Sequence, residues 1–140
     1  MAESLAPAVA PDYIYKIVPP ESFNTSDKVL PLSDLDRTDG FYHLSTAAQV
    51  PGTSNRFFLR ADFDHLLILK LSYPGLAPQI RWEAARGNSG NYPVDTSRIF
   101  PHVYGDLELK HCVGTIRINW DDAQNQWSFP TGWEHEVLAF

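Results

Sequence analysis

Hydrophobic positions in this chain come in short runs with a period of two, broken often by proline and glycine. Tyr13-Ile14-Tyr15-Lys16-Ile17-Val18 is aromatic and β-branched and stops at Pro19-Pro20, which predicts a first strand. Phe41 to Leu44 predicts a second. Leu66 to Leu71 is a continuous apolar run ending at Tyr73-Pro74-Gly75, the signature of a central strand buried on both faces. Ile80 to Glu83, the Pro-interrupted Ile99 to Gly105, Leu107 to Leu109 and the alternating Cys112 to Trp120 predict four more. Asp121 to Asn125 then turns the chain into a return strand, Gln126 to Phe129. Helical signals are few. Pro20 to Phe23 reads as a short helix or a turn. Thr46-Ala47-Ala48-Gln49 matches a capping box, and Pro51 suits the first position of a helix over about Gly52 to Leu59, with Phe57 and Phe58 toward the core. Residues 24–38 read as an irregular loop, Asp39-Gly40 as a turn, and 87–93 as a second loop.

Six to eight short strands with two or three short helices, not alternating one with one, predict a β-rich α+β fold. Residues 1–11, rich in Ala and Pro, read as a flexible tail, 12–130 as a single globular domain and 131–140 as a C-terminal extension. With 140 residues, 44% of them hydrophobic, the chain suits one domain with a real core.

Charge narrows the function classes. A formal net charge of -6 with scattered lysines and arginines shows no basic footprint, so nucleic acid is not an expected partner. No stretch reaches the ~20 apolar residues of a membrane span. Together with an acidic rather than basic start, this predicts a cytoplasmic protein without a membrane partner. Cys112 is the one cysteine and reads as a small core side chain. The five histidines show no metal-ligand spacing, and no P-loop, GxGxxG, GxSxG or CxxC occurs, so no metal is expected.

Candidate chemistry concentrates around Asp39 to Thr46. His43 lies between apolar neighbours at a strand end that runs into a helix start, where backbone N–H groups can hold anions and carbonyls. An imidazole there serves as a donor to a ligand or as a general acid or base. Ser45 and Thr46 offer hydroxyls to a ligand, with helix capping as the competing and, for Thr46, preferred role. Asn55 and Arg56 sit on the second helical segment, and the Arg56 guanidinium suits a phosphate or carboxylate as well as it suits solvent. Alternation places Arg81 and Glu83 on one face, as an ion pair or as part of a site with Glu83 as its carboxylate. His102 and Tyr104 share a face of the extended segment that follows and make a plausible pocket wall.

Several of these stretches recur together in a known family. Tyr15-Lys16-Ile17, Asp39 through Thr53, Asn55-Arg56-Phe57-Phe58, Arg81-Trp82-Glu83 and Phe100 to Gly105, in that order, resemble the domain-of-unknown-function 952 family over about residues 12–120. That family is commonly grouped with ADP-ribosyltransferase-like folds, in which a split, twisted pair of small sheets holds NAD in a cleft. The resemblance implies such a fold, with His43-Leu44-Ser45 similar to a His-Gly-Ser/Thr signature that has glycine where this chain has Leu44. By the same likeness His43 would orient a ribose, Arg56 or Arg81 would hold phosphates and Tyr104 would stack on a ring. Glu83 or Glu108 would stand in for the catalytic glutamate, with Glu83 preferred.

Two classes of function follow. In the first, the protein binds NAD or an ADP-ribose-like nucleotide and performs ADP-ribosyl transfer or NAD-glycohydrolase-type chemistry, with His43 and Glu83 catalytic. Ser45, Thr46, Asn55, Arg56, Arg81, His102 and Tyr104 then bind the ligand. In the second, it is a non-catalytic binding module for another small anionic metabolite or for a protein partner.

Overall fold

The computed structural model describes residues 5–84 and 96–138. Its organising element is β3 (His65–Ser72), which lies between β1 (Tyr13–Val18) and β6 (Cys112–Asp121) in a four-stranded antiparallel sheet completed by β7 (Gln126–Trp127). As a middle strand it is covered on both sides. Leu69 and Leu71 enter one core and Leu66 and Ile68 the other, which is why the run carries so few polar residues. β1 follows the same alternation: Ile14 and Val18 join the first core, Tyr15 and Ile17 the second.

The first core is closed by a three-stranded antiparallel sheet of order β2-β5-β4, with β2 at Tyr42–His43, β4 at Ile80–Ala84 and β5 at Ile99–Val103. Tyr42, Leu44 and Val103 point inward to meet β1 and β3. The sheets also touch through backbone, where Tyr15 and Ser45 exchange N–H to O bonds of 2.8 Å in both directions. The β-rich α+β architecture is as the pattern predicts, and its division into two antiparallel sheets is seen in the structure.

The second core is covered by α2 (Val50–Phe57), by β7 and by the C-terminal stretch. One irregularity lets β6 serve both cores. The register steps from Lys70↔Gly114 to Leu71↔Cys112, leaving Val113 as the extra residue of a β-bulge. Ile116 and Ile118 consequently face the second core while Cys112 faces the first. The stretch read as a C-terminal extension is stitched into this side. Trp133 is buried against Tyr15 and Phe129, and Leu138 exchanges backbone bonds of 2.8 and 3.0 Å with Thr115.

Local readings depart from expectation at four places. Residues 34–39, expected within a loop, form α1 (Asp34–Asp39). Ser33 caps it in a reciprocal box with Asp36, and Gly40 ends it in the left-handed region at φ 83°. The short helix prevails because a capping box and a C-terminal glycine frame a segment too polar to show a hydrophobic period. The strand expected at Leu107 to Leu109 is only a bridge to residues 28–30, where Leu30 N–H donates to Leu107 O at 2.9 Å and Leu109 N–H to Lys28 O at 2.8 Å, and the chain then makes a 3-10 turn at Leu109–His111. Tyr73–Leu76 makes one helical turn, α3, where the strand was expected simply to end. Phe57 is 63% exposed at the end of α2, because that helix starts at Val50 and turns Val50 and Ser54 inward instead. Phe58, just past the helix, does pack on the second core. The expected loop at 87–93 lies outside the described residues. No helix among the described residues is long and apolar enough to cross a membrane.

A methyl group at Gly114 would come within 2.4 Å of Val137 and 2.6 Å of the Leu138 carbonyl oxygen, whereas one at Gly52 would meet nothing within 4 Å. Gly114→Ala is expected to lower stability in urea unfolding by about 1–3 kcal/mol through overpacking against the C-terminal strand. Gly52→Ala, inside α2, should raise it by up to about 1 kcal/mol.

Candidate functional site

The three-stranded sheet has two unlike faces. Ile80, Tyr42 and Val103 are register partners on the inner face. One residue along, His43 pairs with His102 and His102 with Arg81, so these three form a row on the outer face, with Glu83 and Tyr104 on the same side by alternation. Phe41, just before β2, lies against the row. Its ring stacks on His102 at 4.1 Å between centroids and lies 4.7 Å from His43 and 5.1 Å from Tyr104.

His43 is clamped by α1. Its Nδ1 lies 2.7 Å from an Asp36 oxygen and its Nε2 lies 2.8 Å from an Asp39 oxygen. Carboxylates only accept, so both contacts are hydrogen bonds when the ring carries a hydrogen on each nitrogen. Asp36, 1% exposed, is the hub. One oxygen also accepts from the His43 backbone N–H at 3.1 Å. The other accepts from Ser33 N–H at 3.1 Å and from the Lys16 ammonium at 3.0 Å. Lys16 in turn donates to the His43 carbonyl at 3.1 Å. Burial alone would raise the Asp36 carboxyl, but the bonds from His43 and the Lys16 charge outweigh it and hold it well below the carboxylate range. Burial pulls Lys16 down, with Asp36 opposing.

At the centre of the sheet, His102 Nδ1 lies 2.8 Å from a Glu83 oxygen that also accepts the Tyr104 hydroxyl at 2.6 Å. The Arg81 guanidinium sits over the Tyr104 ring at 4.4 Å. Burial works to raise Glu83, yet the bonds from Tyr104 and His102 and the charges of His102 and Arg81 bring it below its ordinary value. Burial lowers His102, with Glu83 only partly opposing, so the ring is held toward its neutral form. A neutral His102 that donates from Nδ1 keeps Nε2 as an acceptor. Tyr104 is pushed up to about 12 by burial, by its hydrogen bond to Glu83 and by that residue's charge. The result is an ionised, partly exposed carboxylate beside a neutral imidazole and a phenol that stays protonated. This set can stabilise positive charge, accept a proton, or bind a polar ligand.

Of the residues singled out in the sequence, His43, Arg81, Glu83, His102 and Tyr104 thus share one face. Thr46 and Arg56 do not join them. They line a separate cleft between α2 and the Ile99 end of β5. Thr46 N–H is capped by the Gln49 side chain at 3.0 Å, which is half of the expected box. Ser45 is buried at the junction between the sheets. Asn55 spends its amide on the protein itself, donating to Pro51 O at 3.0 Å and accepting Trp127 N–H at 2.7 Å. Glu108 lies away from the face, its backbone bridged to Val29. Sequence reasoning passed over Lys16, Asp36, Asp39 and Phe41. The signals were present: a lone lysine inside an apolar strand, Ser33 three residues before Asp36, and Asp39 four before His43. Among the described residues no group of three or more His, Cys, Asp or Glu side chains is arranged to hold a metal ion.

Residues 17–115 match the family described as "Protein of unknown function (DUF952)". The chain belongs to that family. The fold is similar to that of CC0527 from Caulobacter crescentus. Its crystal structure aligns with a TM-score of 0.67 at 24% identity, covering 87% of this chain and 98% of that one. Its solution NMR structure aligns with a TM-score of 0.66 at 25% identity, covering 89% and 97%. No curated protein matches. The likeness to ADP-ribosyltransferases finds no support among these matches, which bear on the DUF952 family and its fold.

Two expectations follow from the geometry. Asp36→Ala removes one partner of a buried ion pair and should cost about 3–5 kcal/mol in urea unfolding. Arg37→Ala, next to it but exposed, should cost no more than about 1 kcal/mol. In a 15N NMR titration His102 should have its midpoint below its ordinary 6.5, and lower still in Glu83→Gln, because Glu83 is the group that favours the charged ring. The folded state resists protonating His102. Its contribution to stability is therefore complete above 6.5 and falls away as the pH drops through 6.5 toward the folded midpoint.

Proposed function

We propose that this DUF952 protein binds NAD or an ADP-ribose-like nucleotide against the outer face of the small sheet and acts on its glycosidic bond, by ADP-ribosyl transfer or NAD-glycohydrolase-type chemistry. The observation that carries the reading is Glu83, an ionised and partly exposed carboxylate fixed by the Tyr104 hydroxyl at 2.6 Å and by His102 at 2.8 Å. Departure of nicotinamide leaves positive charge at the anomeric carbon. A preorganised negative group lowers the energy of that oxocarbenium-like state. In the hydrolytic case the carbon–nitrogen bond breaks with its electron pair going to the departing ring. A water oxygen bonds to the carbon, and the water proton passes to Nε2 of His102. Arg81 supplies a cation for ligand phosphate.

A second reading, a non-catalytic module for a small anionic metabolite, draws on one specific observation. Both His43 ring nitrogens already face Asp36 and Asp39, which leaves neither for a ribose hydroxyl unless α1 moves.

Calorimetric titration with NAD and ADP-ribose, paired with chromatographic detection of released nicotinamide, separates the two. The enzyme reading expects saturable binding and turnover that falls by about 10²-fold or more in Glu83→Gln, with affinity little changed. Binding without turnover, unaffected by Glu83→Gln, supports the module. No heat from either ligand at millimolar concentration removes the nucleotide from both.

A further inference from the structure

The cleft between α2 and the Ile99 end of β5 has a volume of about 680 Å³, within the range of small-ligand sites. Its lining is at odds with the chain's overall charge of -6. Two guanidiniums, Arg56 and Arg98, border it, and none of its lining residues among those described is acidic. Among the described residues neither arginine has a carboxylate partner; Arg56 has only the ring of Phe57, 5.8 Å away. Apolar walls come from Trp82, Phe100 and the N-terminal segment 5–8. Trp82 is steadied by a 3.2 Å bond from its indole N–H to the Tyr73 hydroxyl. The Gln49 amide donates to the carbonyls of Ile99 at 2.7 Å and Ser97 at 3.2 Å, tying the start of α2 to the segment that carries Arg98. The two arginines are thereby mounted on parts of the backbone held at a fixed spacing. Phe100 is the cross-strand partner of Glu83, whereas Trp82 pairs with Pro101 one residue along, and Glu83 itself does not line the cleft.

Paired guanidiniums next to aromatic surface match a phosphate carried, through a ribose, by a flat heteroaromatic base. The forked donors take the phosphate oxygens, and Trp82 or Phe100 takes the face of the base. We propose that this cleft is the subsite for a nucleoside monophosphate unit, with its phosphate on Arg56 and Arg98 and its base against the aromatic wall. The proposal rests on the nucleotide reading above for its ligand class, but it stands or falls on different residues.

The test is calorimetric titration of the full chain with AMP, adenosine, ribose 5-phosphate and inorganic phosphate, repeated in Arg56→Gln, Arg98→Gln and the double variant. Both arginines are exposed, so the substitutions leave the core intact. AMP is expected to bind saturably and at least tenfold more tightly than ribose 5-phosphate or phosphate. Each single arginine variant should weaken AMP by about tenfold, a loss typical of one charge-assisted hydrogen bond. The double variant should reduce AMP to the affinity of adenosine. No heat from AMP at millimolar concentration overturns the proposal, as does AMP binding that is as tight in the double variant as in the parent chain. AMP binding with the expected arginine dependence, in a protein that releases no nicotinamide from NAD, upholds the cleft and removes the glycosidic reading alone.

Discussion

A single buried carboxylate, Asp36, holds the arrangement of the small sheet together. It sits on a helix of six residues that could not persist alone in water, and it is fixed from three directions by groups from Ser33, β1 and β2. A buried anion is tolerated only when its lone pairs are filled, and here four donors fill them. The Lys16 ammonium has the same need and meets it with Asp36 and the His43 carbonyl. One polar knot therefore joins β1 of the large sheet, α1 and β2 of the small sheet, at the position where an apolar core would give no directional preference. Hydrophobic burial supplies the bulk of the stability, while this knot determines how the outer face is presented.

The two clusters that carry chemistry differ in their electrostatics. On the outer face, acids and bases are already matched: Asp36 and Asp39 with His43, Glu83 with His102 and Tyr104. In the cleft, two cations stand without such matching among the described residues. A matched set is preorganised to respond to charge that develops during a reaction, and an unmatched one attracts charge that a ligand already carries. Phe100 pairs with Glu83 across β4 and β5 and also lines the cleft.

Much of this was legible in the sequence, for physical reasons that can be named. β3 was visible because a strand covered on both faces cannot hide polar residues, and β6 because its alternation runs over ten residues. Arg81 could be assigned to one face with Glu83, and His102 to one face with Tyr104, because strand alternation fixes which side chains of a strand are neighbours; that the two pairs share a face follows only from the β4–β5 register. α1 was not legible. Its six residues, Asp-Leu-Asp-Arg-Thr-Asp, offer no apolar stripe, so the partners of His43 were read as loop. Without α1, an imidazole between apolar neighbours looks as though it awaits a ligand. With α1 in place, the same imidazole is the far end of a structural clamp. Asn55 and Thr46 illustrate a related limit. A polar side chain on a short helix is equally at home on backbone or ligand, and only three-dimensional context shows that Asn55 bonds Trp127 from a residue far along the chain.

The strand pairing has a consequence for how the molecule comes to be. Tyr13 waits for Ser72, His65 for Asn119 and Tyr42 for Val103. Apart from the β6–β7 hairpin and the β4–β5 pair, the sheets are stitched by contacts between distant parts of the chain. Such a topology pays loop-closure entropy before its contacts form, which places it among slow-folding architectures. Lys16 is synthesised early, yet the sheet that buries it needs β3, and the strand that holds β2 is β5. During that interval its ammonium and the Asp36 carboxylate are ordinary hydrated ions. Their dehydration therefore accompanies the pairing of β1 with β3 and of β2 with β5, and the outer face with its row of rings and carboxylates takes its form only with those pairings.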